Sequence, residues 1–142
     1  GFVAGDRAVI EYLRTHSKQI IFSAAIGAPA CAAASASLDV LQDEPEHLAR
    51  LWERTRFFRG LLESRGIDFW DSPTPAIPIV IGDTMKAYHV WNHLLKKGFF
   101  TVMSVSPGVP AGKDLLRVAV TAGHEESHLE QFVDALEAGI KG

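Results

Sequence analysis

Apolar positions recur at two different periods along this chain, and the change of period divides it. Early on, Val9, Ile10 and Leu13 follow Asp6 at helical spacing, with Asp6 suited to cap that helix. A short run, Ile20-Ile21-Phe22, predicts a buried extended segment. Pro29 fits a first helical turn, and Ala30 to Leu41 continue as strong helix formers. Their small side chains predict a closely packed, buried helix. Pro45 restarts or bends it. Leu48, Leu51, Trp52, Thr55, Phe58 and Leu62 then mark one helical face, while Arg50, Arg54 and Arg59 mark the other. Gly66 is suited to close that helix.

Beyond the loop Asp71-Ser72-Pro73-Thr74-Pro75 the pattern shortens. Ala76 to Ile81 reads as a strand, and Thr84 to Lys97 as an amphipathic helix closed by Gly98. Phe99 to Val105 and Leu115 to Thr121 read as strands. Glu125 to Ile140 is a last helix with Leu129, Phe132, Val133, Leu136 and Ile140 on one stripe. The order β-α-β-β-α predicts a small sheet with helices packed on one face.

The 142 residues suffice for an ordinary domain with a real core. A net charge of -3 supplies no electrostatic argument for nucleic acid or an acidic membrane. No apolar run approaches the roughly 20 residues that span a bilayer. Cys31, the single cysteine, excludes an intramolecular disulfide framework and a multi-cysteine zinc site. Set among alanines with no basic neighbour, it reads as an inert buried thiol, and the count fits a reducing compartment. The start Gly1-Phe2-Val3-Ala4-Gly5 reads as a glycine-flanked strand or turn from the interior of a longer protein.

The chemistry concentrates near the end. A loop stiffened by Pro107 and Pro110 feeds an apolar strand that Arg117 interrupts. A charge there is costly without a partner, and the planar guanidinium fits a carboxylate through two bonds. Arg117 therefore captures an acidic ligand or forms an ion pair with one of the 17 acidic residues. Two histidine pairs, His89 with His93 and His124 with His128, have the i, i+4 spacing of helical metal ligands. His89 and His93 share the side of Lys86 and Lys96, which reads as a solvated face. His124 and Glu125 start the last helix, where they serve as helix initiators or brace the arginine strand. Ser23 precedes the alanine-rich helix, where a hydroxyl either caps the helix or meets an anion such as phosphate.

Taken in order, these segments resemble a known family. They are Gly-Phe-Val-Ala-Gly, Ile20-Ile21-Phe22-Ser23, Pro29 with its alanine-rich helix, Glu44-Pro45-Glu46, Thr74-Pro75-Ala76-Ile77-Pro78-Ile79, Pro107-Gly108-Val109-Pro110, and Leu116-Arg117-Val118 running into Ala122-Gly123-His124. The chain resembles the C-terminal part of the α-oxoamine synthases, class II aminotransferase-like enzymes of fold type I that use pyridoxal 5'-phosphate (PLP). The resemblance implies an α/β fold with a long interdomain helix before a β-α-β-β-α C-terminal domain. Residues 1–45 then form the tail of the PLP-binding large domain and the start of that helix, and residues 46–142 the small domain. It implies an acyltransferase that condenses an amino acid with acyl-CoA or an acyl-carrier thioester, working as a cytoplasmic homodimer. Arg117 matches the arginine that binds the amino-acid carboxylate. Ser23 and Ala24 match the segment that approaches the PLP phosphate of the partner subunit, although relatives often carry a hydroxyl or amide where Ala24 or Ala25 stands. The Schiff-base lysine of the family falls before residue 1, so no catalytic residue is assigned within this chain. The N-terminal large domain is expected as its missing partner, and the chain alone is expected neither to bind PLP nor to turn over. Exposed apolar surface is expected over residues 1–45. Two other readings stand beside this one: a different fold-type I enzyme such as an aminotransferase, and a non-enzymatic α+β ligand-binding or interaction module.

Overall fold

A computed structural model describes residues 3–142, and they fall into two units that divide between Asp43 and Glu44. The sequence expectation for Gly1 and Phe2 lies outside the described residues.

The first unit is helical. Asp6 caps α1 (Arg7–His16), its carboxylate accepting from the Ala8 N–H at 2.8 Å. A short α2 (Lys18–Ile21) follows, and then α3 (Ala28–Asp43). The expected extended, buried Ile20-Ile21-Phe22 is instead the end of α2 and the residue after it. Ile20, Ile21 and Phe22 are 51%, 52% and 83% exposed. None of the three helices contains a buried residue. The alanine-rich helix therefore forms where expected but is not buried, and Cys31 is exposed rather than an enclosed thiol. The reason is architectural: α3 is apolar enough to favour cover, but no second layer within its own unit supplies it.

The second unit contains the core. Helix α4 (Glu46–Ser64) buries Thr55, Phe58 and Leu62, and Gly66 follows its end at φ +63°, a conformation open to glycine. Strand β1 (Ala76–Gly82) leads to α5 (Thr84–Lys96), which Asp83 caps by accepting from the Lys86 N–H at 2.9 Å. Strands β2 (Val102–Ser104) and β3 (Asp114–Ala119) precede α6 (Glu126–Lys141). The three strands form an antiparallel sheet in the order β1-β3-β2.

Strand alternation sorts the two faces of this sheet. Ile77 and Ile79 of β1, with Leu116 on β3 and Val120 just beyond it, join Phe58 and Leu62 of α4, Val90 and Leu94 of α5, and Leu129, Phe132, Val133 and Leu136 of α6. This is the expected sheet with helices on one face. Phe132 is the hinge of its aromatic part, tilted against Phe58 at 5.7 Å and edge-on to Phe99 at 5.5 Å.

Candidate functional site

Arg117 lies on the central strand, on the face away from the three helices. Its cross-strand neighbours are Pro78 on β1 and Val102 on β2. The row extends past β1, because Trp70 donates its N–H to the Pro78 carbonyl at 2.9 Å. Arg117 is exposed, and among the described residues it takes part in no ion pair. The internal ion-pair alternative is thus not what the fold contains. The result is a guanidinium between two apolar residues on a sheet face, with its hydrogen-bonding fork uncommitted.

Three other arginines of the second unit are used differently. Arg54 donates to Glu126 at 2.5 Å, which ties α4 to the start of α6. Arg59 donates to the carbonyls of Ser72 and Thr74, so it clamps the 71–75 loop onto α4. Arg65 reaches Asp134 at 2.7 Å and also Glu137. Of the basic face that the sequence assigns, Arg54 and Arg59 are therefore braces, while Arg50 reaches only His47 on its own helix. Salt bridges from Lys141 and Arg65 hold the Glu137 carboxyl below its ordinary range.

Asp114 carries a role that the sequence reading missed. It is 2% exposed, and its carboxylate accepts from the Thr84 hydroxyl and, at 3.0 Å, from the Ser106 N–H. One side chain thus joins the start of α5, the entry to the 105–113 loop and the start of β3. The available signal was an acid placed directly before the apolar run Leu115-Leu116.

The histidine pairs part company. His89 is exposed, but His93 turns inward against α6, and its Nε2 is buried without a hydrogen-bond partner. Gly139 makes room for it; a Cβ there would lie 3.3 Å from the His93 ring. The solvated-face expectation for His93 fails because the missing side chain at Gly139 opens a slot on α6. His124 and His128 remain together at the β3–α6 turn. The Nδ1 of His124 accepts from the Thr121 N–H at 3.2 Å, and that of His128 from the Glu125 N–H at 3.3 Å. An acceptor Nδ1 leaves the proton on Nε2, so neither neutral ring offers Nε2 to a metal. Burial, and then the neighbouring His128, push the His124 imidazole below its ordinary 6.5.

Ser23 and Ala24 belong to the first unit. The Ser23 hydroxyl donates to the Gln19 carbonyl, so its proton is committed locally. No main-chain hydrogen bond is made by the N–H groups of Ala24, Ala25, Ile26 or Gly27 among the described residues. Main-chain donors, rather than the serine hydroxyl, are what this segment offers an anion. Arg117 belongs to the other unit.

A family model, aminotransferase class I and II, matches residues 1–136. The chain belongs to that family. Within this aminotransferase family it is 38% identical over 141 residues to 8-amino-7-oxononanoate synthase 1 of Bacillus subtilis (strain 168), covering 99% of this chain and 36% of that protein. It is 32% identical over 136 residues to the serine palmitoyltransferase of Sphingobacterium spiritivorum, covering 96% and 34%. A solved variant of serine palmitoyltransferase from S. paucimobilis, with a bound PLP–myriocin aldimine, matches with a TM-score of 0.80 at 26% identity, over 91% of this chain and 33% of that one. The chain spans about a third of the length of the curated relatives it matches. The expected fold holds: a helical segment followed by the β-α-β-β-α domain seen in solved PLP-containing relatives of fold type I.

Proposed function

We propose that this chain is the C-terminal part of a PLP-dependent α-oxoamine synthase, in which Arg117 receives the carboxylate of the amino-acid substrate. The carrying observation is the exposed, unpaired guanidinium on the central strand, in a chain matched over 99% of its length by an 8-amino-7-oxononanoate synthase. Two parallel bonds from Arg117 would fix the direction of the carboxylate, and so which bond at the substrate Cα is presented for reaction. When bound, PLP supplies the electron sink for condensation with acyl-CoA or an acyl-carrier thioester. The phosphate of the PLP held by the partner subunit is assigned to the main-chain N–H groups at Ala24 and its neighbours, with Ser23 beside them. The Ser23 hydroxyl must leave Gln19 to donate there.

In this reading residues 1–45 are the tail of the large domain and the start of the interdomain helix, and residues 46–142 the small domain. The exposure of Val9, Ile20, Ile21, Phe22, Leu38 and Leu41 supports a surface made to be covered. We assign it to the large domain and a second subunit of a homodimer. No described helix is long and apolar enough to cross a membrane. The cytoplasmic assignment rests on the single cysteine and a reducing compartment.

The test is turnover by the full-length protein that carries this segment, supplied with PLP, an amino-acid panel and acyl-CoA. Amino-acid-dependent release of CoA thiol is the expected result. Amino-group transfer to a 2-oxo acid without thiol release would replace this reading with an aminotransferase. Absence of both reactions with acyl-CoA and with acyl-carrier thioesters would favour a binding module.

A further inference from the structure

The turn that follows β3 is held twice by the same kind of atom. Thr121 and Glu125 donate their main-chain N–H groups to Nδ1 of His124 and Nδ1 of His128. A ring nitrogen accepts only while it is unprotonated. An imidazolium carries donors at both nitrogens, so taking up a proton at Nδ1 replaces each bond with a donor facing a donor.

The surroundings of His124 do little to stabilise a charge. Its cavity is walled by Phe58 of α4, Phe99 and Phe100 after α5, Val118 of β3, and Leu129 and Phe132 of α6. The charged neighbour that bears on His124 is His128 of α6; Glu125 caps that helix, Glu126 opens it, and Arg54 of α4 reaches its start. Glu126 is already engaged by Arg54. The lowered affinity of His124 for protons, caused first by burial and then by His128, agrees with this geometry.

We propose that the Thr121–Glu125 turn is an acid-released latch, closed by neutral His124 and His128 and opened when either ring gains a proton at Nδ1. The bistable element is the turn itself, which joins the strand of Arg117 to α6. The sign follows from linkage. His124 binds protons less readily folded than unfolded, so its contribution is complete above 6.5 and is lost as pH falls through its lower folded value. The latch does not depend on the enzymatic reading, and its test needs no turnover.

Nitrogen-15 NMR of the imidazoles and amide exchange in the full chain provide that test. At about pH 7.5 both Nδ1 atoms should show the shift of an unprotonated acceptor nitrogen. Corrected for intrinsic exchange, protection of the Thr121 and Glu125 amides should fall about five- to tenfold between the state with neutral imidazoles and the acid state with both protonated, while Leu116 in the sheet stays protected. His124→Asn should flatten the response at Thr121, and His128→Asn that at Glu125, because an amide oxygen accepts without titrating. Protons found on Nδ1 near neutrality, protection independent of pH, or an undiminished response in both variants would overturn the latch.

Discussion

Replacing Arg117 by Met should separate function from folding. The side chain is exposed and makes no ion pair among the described residues, so its removal leaves no buried charge behind. Surface changes of this kind stay within about 0.5 kcal/mol, which moves the melting temperature of a protein about three times this length by about 1 °C or less. The functional loss should be far larger. A bidentate grip on a carboxylate comprises two charge-assisted hydrogen bonds of about 1.5–3 kcal/mol each, so about 3–6 kcal/mol disappears with the guanidinium. That corresponds to about two to four orders of magnitude in kcat/KM for the amino acid. Arg117→Lys keeps a point charge without the fork and should recover about half of the loss on a logarithmic scale. The assay is amino-acid-dependent thiol release by the full-length protein, paired with a thermal melt of each variant. A kcat/KM for Arg117→Met within about threefold of the parent would refute carboxylate capture. A melting temperature lowered by about 10 °C or more would instead expose a structural role that the sheet geometry does not contain.

Other expectations test the scaffold. Asp114→Ala strands the Ser106 N–H and should cost about 2–4 kcal/mol in urea unfolding, whereas Asp114→Asn, which retains an acceptor, should cost less than half as much. Phe58→Ala removes a fully buried ring that packs on Phe132 and should cost about 3–5 kcal/mol by the same measurement. Gly139→Ala puts a methyl 3.3 Å from the His93 ring; the clash should outweigh the helix-propensity gain of about 1 kcal/mol, and His93→Ala in the same chain should restore stability. The Glu137 carboxyl sits below its ordinary 4.5, so its stabilising contribution is present above that value and is lost as pH falls through the lower folded one. Glu137→Gln should therefore flatten part of the acid limb of a stability–pH profile.

Periodicity by itself determined most of the elements. The stripe from Leu129 to Ile140, the alternation through Ile77 and Ile79, and Gly66 and Gly98 as helix stops are local signals, and the observed elements follow them closely. Arg117 was legible for the same reason: a charge inside an apolar strand stands out without knowledge of its neighbours. What the tertiary structure alone decided is how side chains are shared between elements. Nothing local says that His93 finds a slot at Gly139, or that Asp114 binds the starts of a helix, a loop and a strand. Those depend on residues about 30 to 50 positions apart meeting at one packed surface. The failed expectations in the first unit have the complementary cause. Ile20-Ile21-Phe22 and the alanine-rich helix are apolar enough to be buried, but hydrophobicity states only that a surface favours cover. Whether cover exists depends on another layer of structure, and no second layer stands over these residues within their own unit.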